Sequence, residues 1–290
     1  MKNKHLKIAV VAALTFASLP ALVLATPLLG TDLASYSILA GGYLSYGAGT
    51  TVNGNVGAVT YIDPVYAMGT NSSVDLINSP NVIQGLAELS NAKSALNNMG
   101  TGTALLTTLS GNNTFFSGVY SAADLTTAAG SIITLDGRGE LNPYWVFNIA
   151  TYLTTGAGTK INIINTGANG GVFWNTGGYA SLGASTELLG TVLSTGYISI
   201  GAESKLLCGS SYSSSYVSVG AGVNTGSSAC NGTGTWVGST NSLSGGLDIV
   251  NGIAVSSLIT AVPETETLDM ILTGLCLIGL IIRRRKNKQA

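Results

Sequence analysis

The sequence predicts an all-β-dominated chain, a right-handed three-sided parallel β-solenoid with one long α-helix packed alongside. Three observations carry this. One phrase, Tyr-x-Ser/Thr-x-Gly-Ala, occurs five times, starting at Tyr43, Tyr152, Tyr179, Tyr197 and Tyr216. The last three starts are 18 and 19 residues apart, the length of one solenoid turn with about six residues per side. A single helical pattern interrupts the 109 residues between the first two phrases.

Each phrase reads as a short strand closed by a glycine corner, where a residue without Cβ lets the chain turn sharply. Side chains alternate across a strand, so the second and fourth positions (Ala180 and Leu182, Ile198 and Ile200, Val217 and Val219) should point inward. The first and third positions should face out. They form a tyrosine column and, beside it, a hydroxyl column of Ser45, Thr154, Ser181, Ser199 and Ser218. Tyr46 and Thr155 depart from the inward apolar pattern.

The helix is expected over about residues 80–99. Asn78 or Ser79 can cap it, Pro80 suits its first turn, and Gly100 ends it. Ile83, Leu86, Ala87, Ala92, Ala95, Leu96 and Met99 supply an apolar stripe. About twenty residues give ~30 Å of helix, close to six layers at ~4.8 Å. Such a helix can carry the chain from one end of the stack to the other, so that later coils wind back and Tyr216's coil ends beside Tyr43's.

Residues 1–25 read as a signal peptide. Lys2, Lys4 and Lys7 precede the apolar run Ile8 to Leu24, and Val23-Leu24-Ala25 suits cleavage. Residues 26–261 hold the solenoid and its helix. At the far end, Val262, Pro263 and Glu264 precede a polar spacer, the apolar run Met270 to Ile282, and Arg283, Arg284 and Arg285. That run rises only about 20 Å as a helix, short of the ~30 Å hydrocarbon core. Residues 262–290 resemble the PEP-CTERM sorting signal, which implies an exosortase-type sorting enzyme as partner and a transient membrane attachment through the tail; a plain tail anchor is the alternative. Export to the cell surface, extracellular matrix or medium follows.

Only 9% of the chain is charged, and 39 residues are glycine. Four basic residues, Lys93, Arg138, Lys160 and Lys205, stand between the two ends against ten acidic ones from Asp32 to Asp248, so the middle carries about −6 and offers no basic patch to nucleic acid. The one histidine, His5, lies in the leader, which removes a Ser-His-Asp triad and His-ligated metal sites from the exported chain. Asp63, Asp75, Asp136 and Glu140 match no calcium loop and read as loop acids. No cofactor is implied, and the sequence speaks against an enzyme.

Several stretches are together similar to the bacterial and fungal ice-binding protein family. They are Leu29 to Ala40, Thr51 to Gly57, Ser117 to Tyr120, Ile133 to Gly137, Trp145 to Ile149 and Val172 to Trp174. The resemblance implies a discontinuous solenoid flanked by a helix, adsorption to an ice crystal surface through a flat face, and no cofactor. The expected ice-facing residues are Ser45, Thr154, Ser181, Ser199 and Ser218, helped by Thr50, Thr159, Thr186 and Ser204 just past the glycine corners. Against this stand the scarcity of threonine methyls and the bulk of the tyrosines. The competing reading is a surface or biofilm-matrix protein whose tyrosines stack on exopolysaccharide rings.

Two further expectations test the alignment. Cys208 and Cys230 should form a disulfide in an oxidising compartment, since Cys276 lies in the apolar tail. Lys160, Glu187 and Lys205, each four residues beyond a glycine corner, should stack with alternating sign.

Overall fold

The computed structural model describes residues 25–63, 78–166, 170–227 and 247–256. Three parallel sheets of eight, eight and seven strands form the sides of a triangular prism, and each coil contributes one strand to each sheet except the last, which supplies two strands among the described residues. The coils run in sequence order from the one that begins at Thr103 to the one that ends at Ser227; the N-terminal coil from Tyr36 to Val52 then stacks beyond it, followed by Asn55–Ala58 and Tyr61–Ile62. The expected junction is present: Val217, Ser218 and Val219 pair with Leu44, Ser45 and Tyr46.

The interior of the prism is filled by the alternate residues the phrases assign to it. Ala180, Leu182, Ile198, Ile200, Val217 and Val219 are buried in one continuous cluster with Trp145, Phe147 and Trp174. The Phe147 and Trp174 rings stack at 4.1 Å, and Trp174 Nε1 donates to Leu189 O at 2.9 Å, so the buried indole keeps a partner for its polar atom. Thr155 also points inward, bonded to Thr186 at 3.0 Å. Tyr46 is turned in as well, and burial, with Asp63 second, pushes its phenol far up.

A first side of the prism is buried on both faces, because α2 (Pro80–Asn97) lies along it. Phe173, Leu193, Val146 and Tyr212 point out of that sheet into a second core with α2. Ser79 caps the helix by accepting from Val82 N at 3.3 Å, and Pro80 opens it. The buried stripe is Val82, Gly85, Leu89, Ala92, Lys93, Ala95 and Leu96. Ile83 and Ala87 are exposed instead, which corrects the expected stripe by rotating it about one residue around the axis. The helix does run from the strand at Tyr61 to the coil at Thr103, as its length suggested.

Two features have no counterpart in the sequence reading. A short helix, α1 (Thr31–Ala34), receives the Glu88 carboxylate, which accepts from Leu33 N at 2.7 Å. An antiparallel sheet of Thr26–Pro27, Leu247–Val250 and Ile253–Ser256 brings Leu247 and Ala254 into the second core.

The leader, Cys230, and the sorting residues Val262, Pro263, Glu264, Arg283, Arg284 and Arg285 lie outside the described residues. Among the described residues no helix is long and apolar enough to cross a membrane.

Candidate functional site: the tyrosine and hydroxyl side

A second side of the prism carries the repeated phrases. Its outward positions form two columns in register along the stack. Ser45, Ser218, Ser199, Ser181 and Thr154 follow one another as expected, and the column continues through Thr126 and Thr108. Those two threonines escaped the sequence reading because their coils lack the tyrosine that marks the phrase; the Leu-Thr-Thr shared by residues 125–127 and 153–155 was the available signal. At the two ends, neighbours bond to each other: Ser45 to Ser218 at 3.2 Å and Thr108 to Thr126 at 2.9 Å. No hydrogen bond joins Thr154, Ser181 or Ser199 to another described side chain, so the middle of the column directs its hydroxyls to solvent.

Beside it, the tyrosines form one continuous stack. Ring centroids are 4.7 Å apart from Tyr43 to Tyr216, 5.1 Å to Tyr197, 4.9 Å to Tyr179 and 5.3 Å to Tyr152, with interplanar angles of 5°, 8°, 4° and 11°. Tyr61 pairs with Tyr43 in the next strand. The spacing is the rise of one coil, which is why the ladder forms: parallel strands set the rings at a distance where their faces close on one another. The rings therefore do not roughen the surface irregularly; they make an ordered ridge. Their faces are covered by their neighbours, which leaves sugar rings nothing to stack on except at the ends, and this weighs against the exopolysaccharide reading.

Thr50, Thr159, Thr186 and Ser204 are corrected. All four are at most 2% exposed, so ice has no access to their hydroxyls. They tie the glycine corners from within. Thr50 donates to Gly47 O at 2.9 Å, Thr159 to Gly156 O at 2.8 Å, Thr186 to Gly183 O at 2.7 Å and Ser204 to Gly183 O at 3.1 Å. A small hydroxyl three residues past the corner satisfies a carbonyl that the turn removes from the ladder. The glycines are needed because coils approach closely there: a Cβ on Gly201 would lie 2.5 Å from Ala184 N.

The third side is charged. Lys160, Glu187 and Lys205 pair in register, and Glu187 lies 3.9 Å from the first lysine and 3.1 Å from the second. The column continues to Asn224 and Thr51, as the alignment required. Among the described residues, with the first side under α2 and the third carrying ion pairs, the tyrosine and hydroxyl side is the one both uncovered and uncharged at its repeated positions. Asp124 and Asp63 stand only at its ends.

One buried cation fixes the helix. Lys93 Nζ donates to Asn175 Oδ1 at 2.7 Å, Thr176 O at 2.6 Å and Leu193 O at 3.2 Å, and burial lowers its pKa to about 8. Nothing in the sequence distinguished it from a surface lysine of an amphipathic helix. Cys208 is in a disulfide.

These elements define a helix-flanked parallel solenoid with one side that carries ordered columns of tyrosines and hydroxyls. The chain belongs to the ice-binding-like family, whose model matches residues 38–225. It is 36% identical over 92 residues to ice-binding protein 1 of Shewanella frigidimarina (strain NCIMB 400), and 34% identical over 99 residues to the ice-binding protein of Nostoc sp. (strain HG1). These stretches are 31% and 34% of this chain but only 10% and 36% of the two relatives, so the chain matches about a third or less of their length. Among solved structures, the ice-binding protein of the Antarctic ascomycete Antarctomyces psychrotrophicus is 27% identical with a TM-score of 0.61, covering 70% of this chain and 98% of that one. An ice-binding protein from an Arctic yeast, 17% identical with a TM-score of 0.56 over 67% of this chain and 90% of its own, shares the fold.

Proposed function

We propose that the exported chain adsorbs to ice through the tyrosine and hydroxyl side. The observation that carries this is the hydroxyl column from Thr108 to Ser45, held in strand register on the one side that is neither covered by the helix nor crossed by ion pairs. Crystal water is held by regularly placed donors and acceptors, and each hydroxyl is both. Parallel strands supply the regular spacing and the stacked coils supply rigidity. A charge on such a side would have to be stripped of its hydration shell to meet the crystal, which is costly. Its absence from the repeated positions suits adsorption.

The sequence adds the setting. Residues 1–25 serve as the export signal, and residues 262–290 place the protein at the cell surface through a sorting enzyme acting on Val262-Pro263-Glu264 and the Arg283 to Arg285 cluster. Thermal hysteresis and inhibition of ice recrystallisation by the purified protein test the central activity. Both are expected, and a solution that freezes and coarsens like buffer would remove the reading.

A further inference from the structure

We propose that the tyrosine hydroxyls form the outermost contact with the crystal, ahead of the Ser/Thr column; this rests on the ice-adsorption reading above. The two columns lie in the same sheet two residues apart and both point outward. A phenol hydroxyl stands several ångströms farther from its backbone than a serine hydroxyl, so a flat crystal plane approaching this side meets the tyrosines first.

Their geometry suits that role. A lone exposed tyrosine samples several rotamers and would lose that freedom on adsorption. Here each ring of the inner ladder is held between two others at 4.7 to 5.3 Å, within 11° of parallel, so the freedom is already lost in the folded protein. The hydroxyls consequently repeat once per coil. Those of Tyr179, Tyr197, Tyr216 and Tyr43 make no hydrogen bond to another described residue, and Tyr43 is 41% exposed. At the end of the ladder the charge of the Asp124 carboxylate raises the pKa of Tyr152, so a charge stands beside this phenol and the uncharged contact runs from Tyr179 to Tyr43. Ring stacking alone does not call for the hydroxyl, since phenylalanine stacks equally well, yet every ring of the column is a tyrosine. Neutral phenols both donate and accept, as a lattice water does.

The test replaces Tyr179→Phe, Tyr197→Phe and Tyr216→Phe together, which removes three hydroxyls and retains the rings. Loss of thermal hysteresis is expected, with an unchanged unfolding midpoint. The single Tyr197→Phe variant gives the same readout with a smaller perturbation should the triple variant fail to fold, and a partial loss is expected of it. Full hysteresis in the Phe variants of an active protein overturns the assignment and leaves ice adsorption standing. An inactive parent protein removes the reading on which the assignment rests, and the assignment with it.

Discussion

Glu187 Oε1 stands 3.1 Å from Lys205 Nζ in the neighbouring coil, and its other oxygen lies 3.9 Å from Lys160 in the coil on the opposite side. The lysine side chains are more than half exposed, so water and salt screen both pairs. Glu187→Gln should therefore lower stability by no more than about 1 kcal/mol, with the difference shrinking in high salt. Urea midpoints at low and high ionic strength check this. A salt-independent loss of several kcal/mol would mean that the ladder does more than hold register.

Lys93 gives a pH signature. Its folded pKa is about 8 against 10.5 in the unfolded chain, so between these values the unfolded chain binds more protons and stability rises with pH. The burial cost is present in full below about pH 8 and is relieved towards pH 10.5, by about 3 kcal/mol in all. Lys93→Met removes this dependence and, by leaving Asn175 Oδ1 without its donor and taking one bond each from the Thr176 and Leu193 carbonyls, should cost roughly 1–3 kcal/mol at pH 7. Denaturant midpoints of both proteins from pH 7 to 10.5 measure the difference, and parallel curves would contradict the placement of the ammonium.

Gly201→Ala tests the corner. The added methyl would sit 2.5 Å from Ala184 N, and backbone held in a hydrogen-bonded ladder cannot retreat as a side chain can. Overpacking of this kind should cost about 1–3 kcal/mol. The thermal midpoint should fall accordingly, whereas an unchanged midpoint would show that the coils part easily.

Cys208 is disulfide-bonded, and Cys230 is its expected partner. The bridge would close a loop of 23 residues across a serine-rich stretch. Reduction should then cost on the order of 3 kcal/mol in the chain-entropy model. Non-reducing peptide mapping of exported protein should find the two cysteine peptides linked. Two alkylatable thiols would refute the pairing.

Much of the fold was legible because a solenoid repeats its physics. The phrase at Tyr152, Tyr179, Tyr197 and Tyr216 records one coil's alternation and corner four times, and the copy at Tyr43 shows that the first coil joins the far end. What escaped were features set by a single contact. The helix stripe was misplaced because Val82 and Leu89 face the sheet while Ile83, equally apolar, does not. The buried role of Lys93 depends on Asn175, 82 residues away. Thr50, Thr159, Thr186 and Ser204 look in sequence like further members of a hydroxyl face; only the turn geometry shows that the three threonines fold back onto their own corner glycine carbonyls and that Ser204 reaches the Gly183 carbonyl of the neighbouring coil. Thr108 and Thr126 belong to the column although their coils carry no tyrosine, and pairing across strands reveals what the phrase does not.

The central claim is that one side of the prism meets ice, and a lysine placed on each of two sides tests it most directly. Ser199→Lys puts a charge in the middle of the hydroxyl column, where adsorption would have to desolvate it. Asn224→Lys puts the same charge on the side already carrying Lys160 and Lys205. Thermal hysteresis should be lost in the first variant and kept in the second, with both folded to the same midpoint. Equal hysteresis in the two variants, or loss only in the second, would contradict the assignment of the ice-facing side.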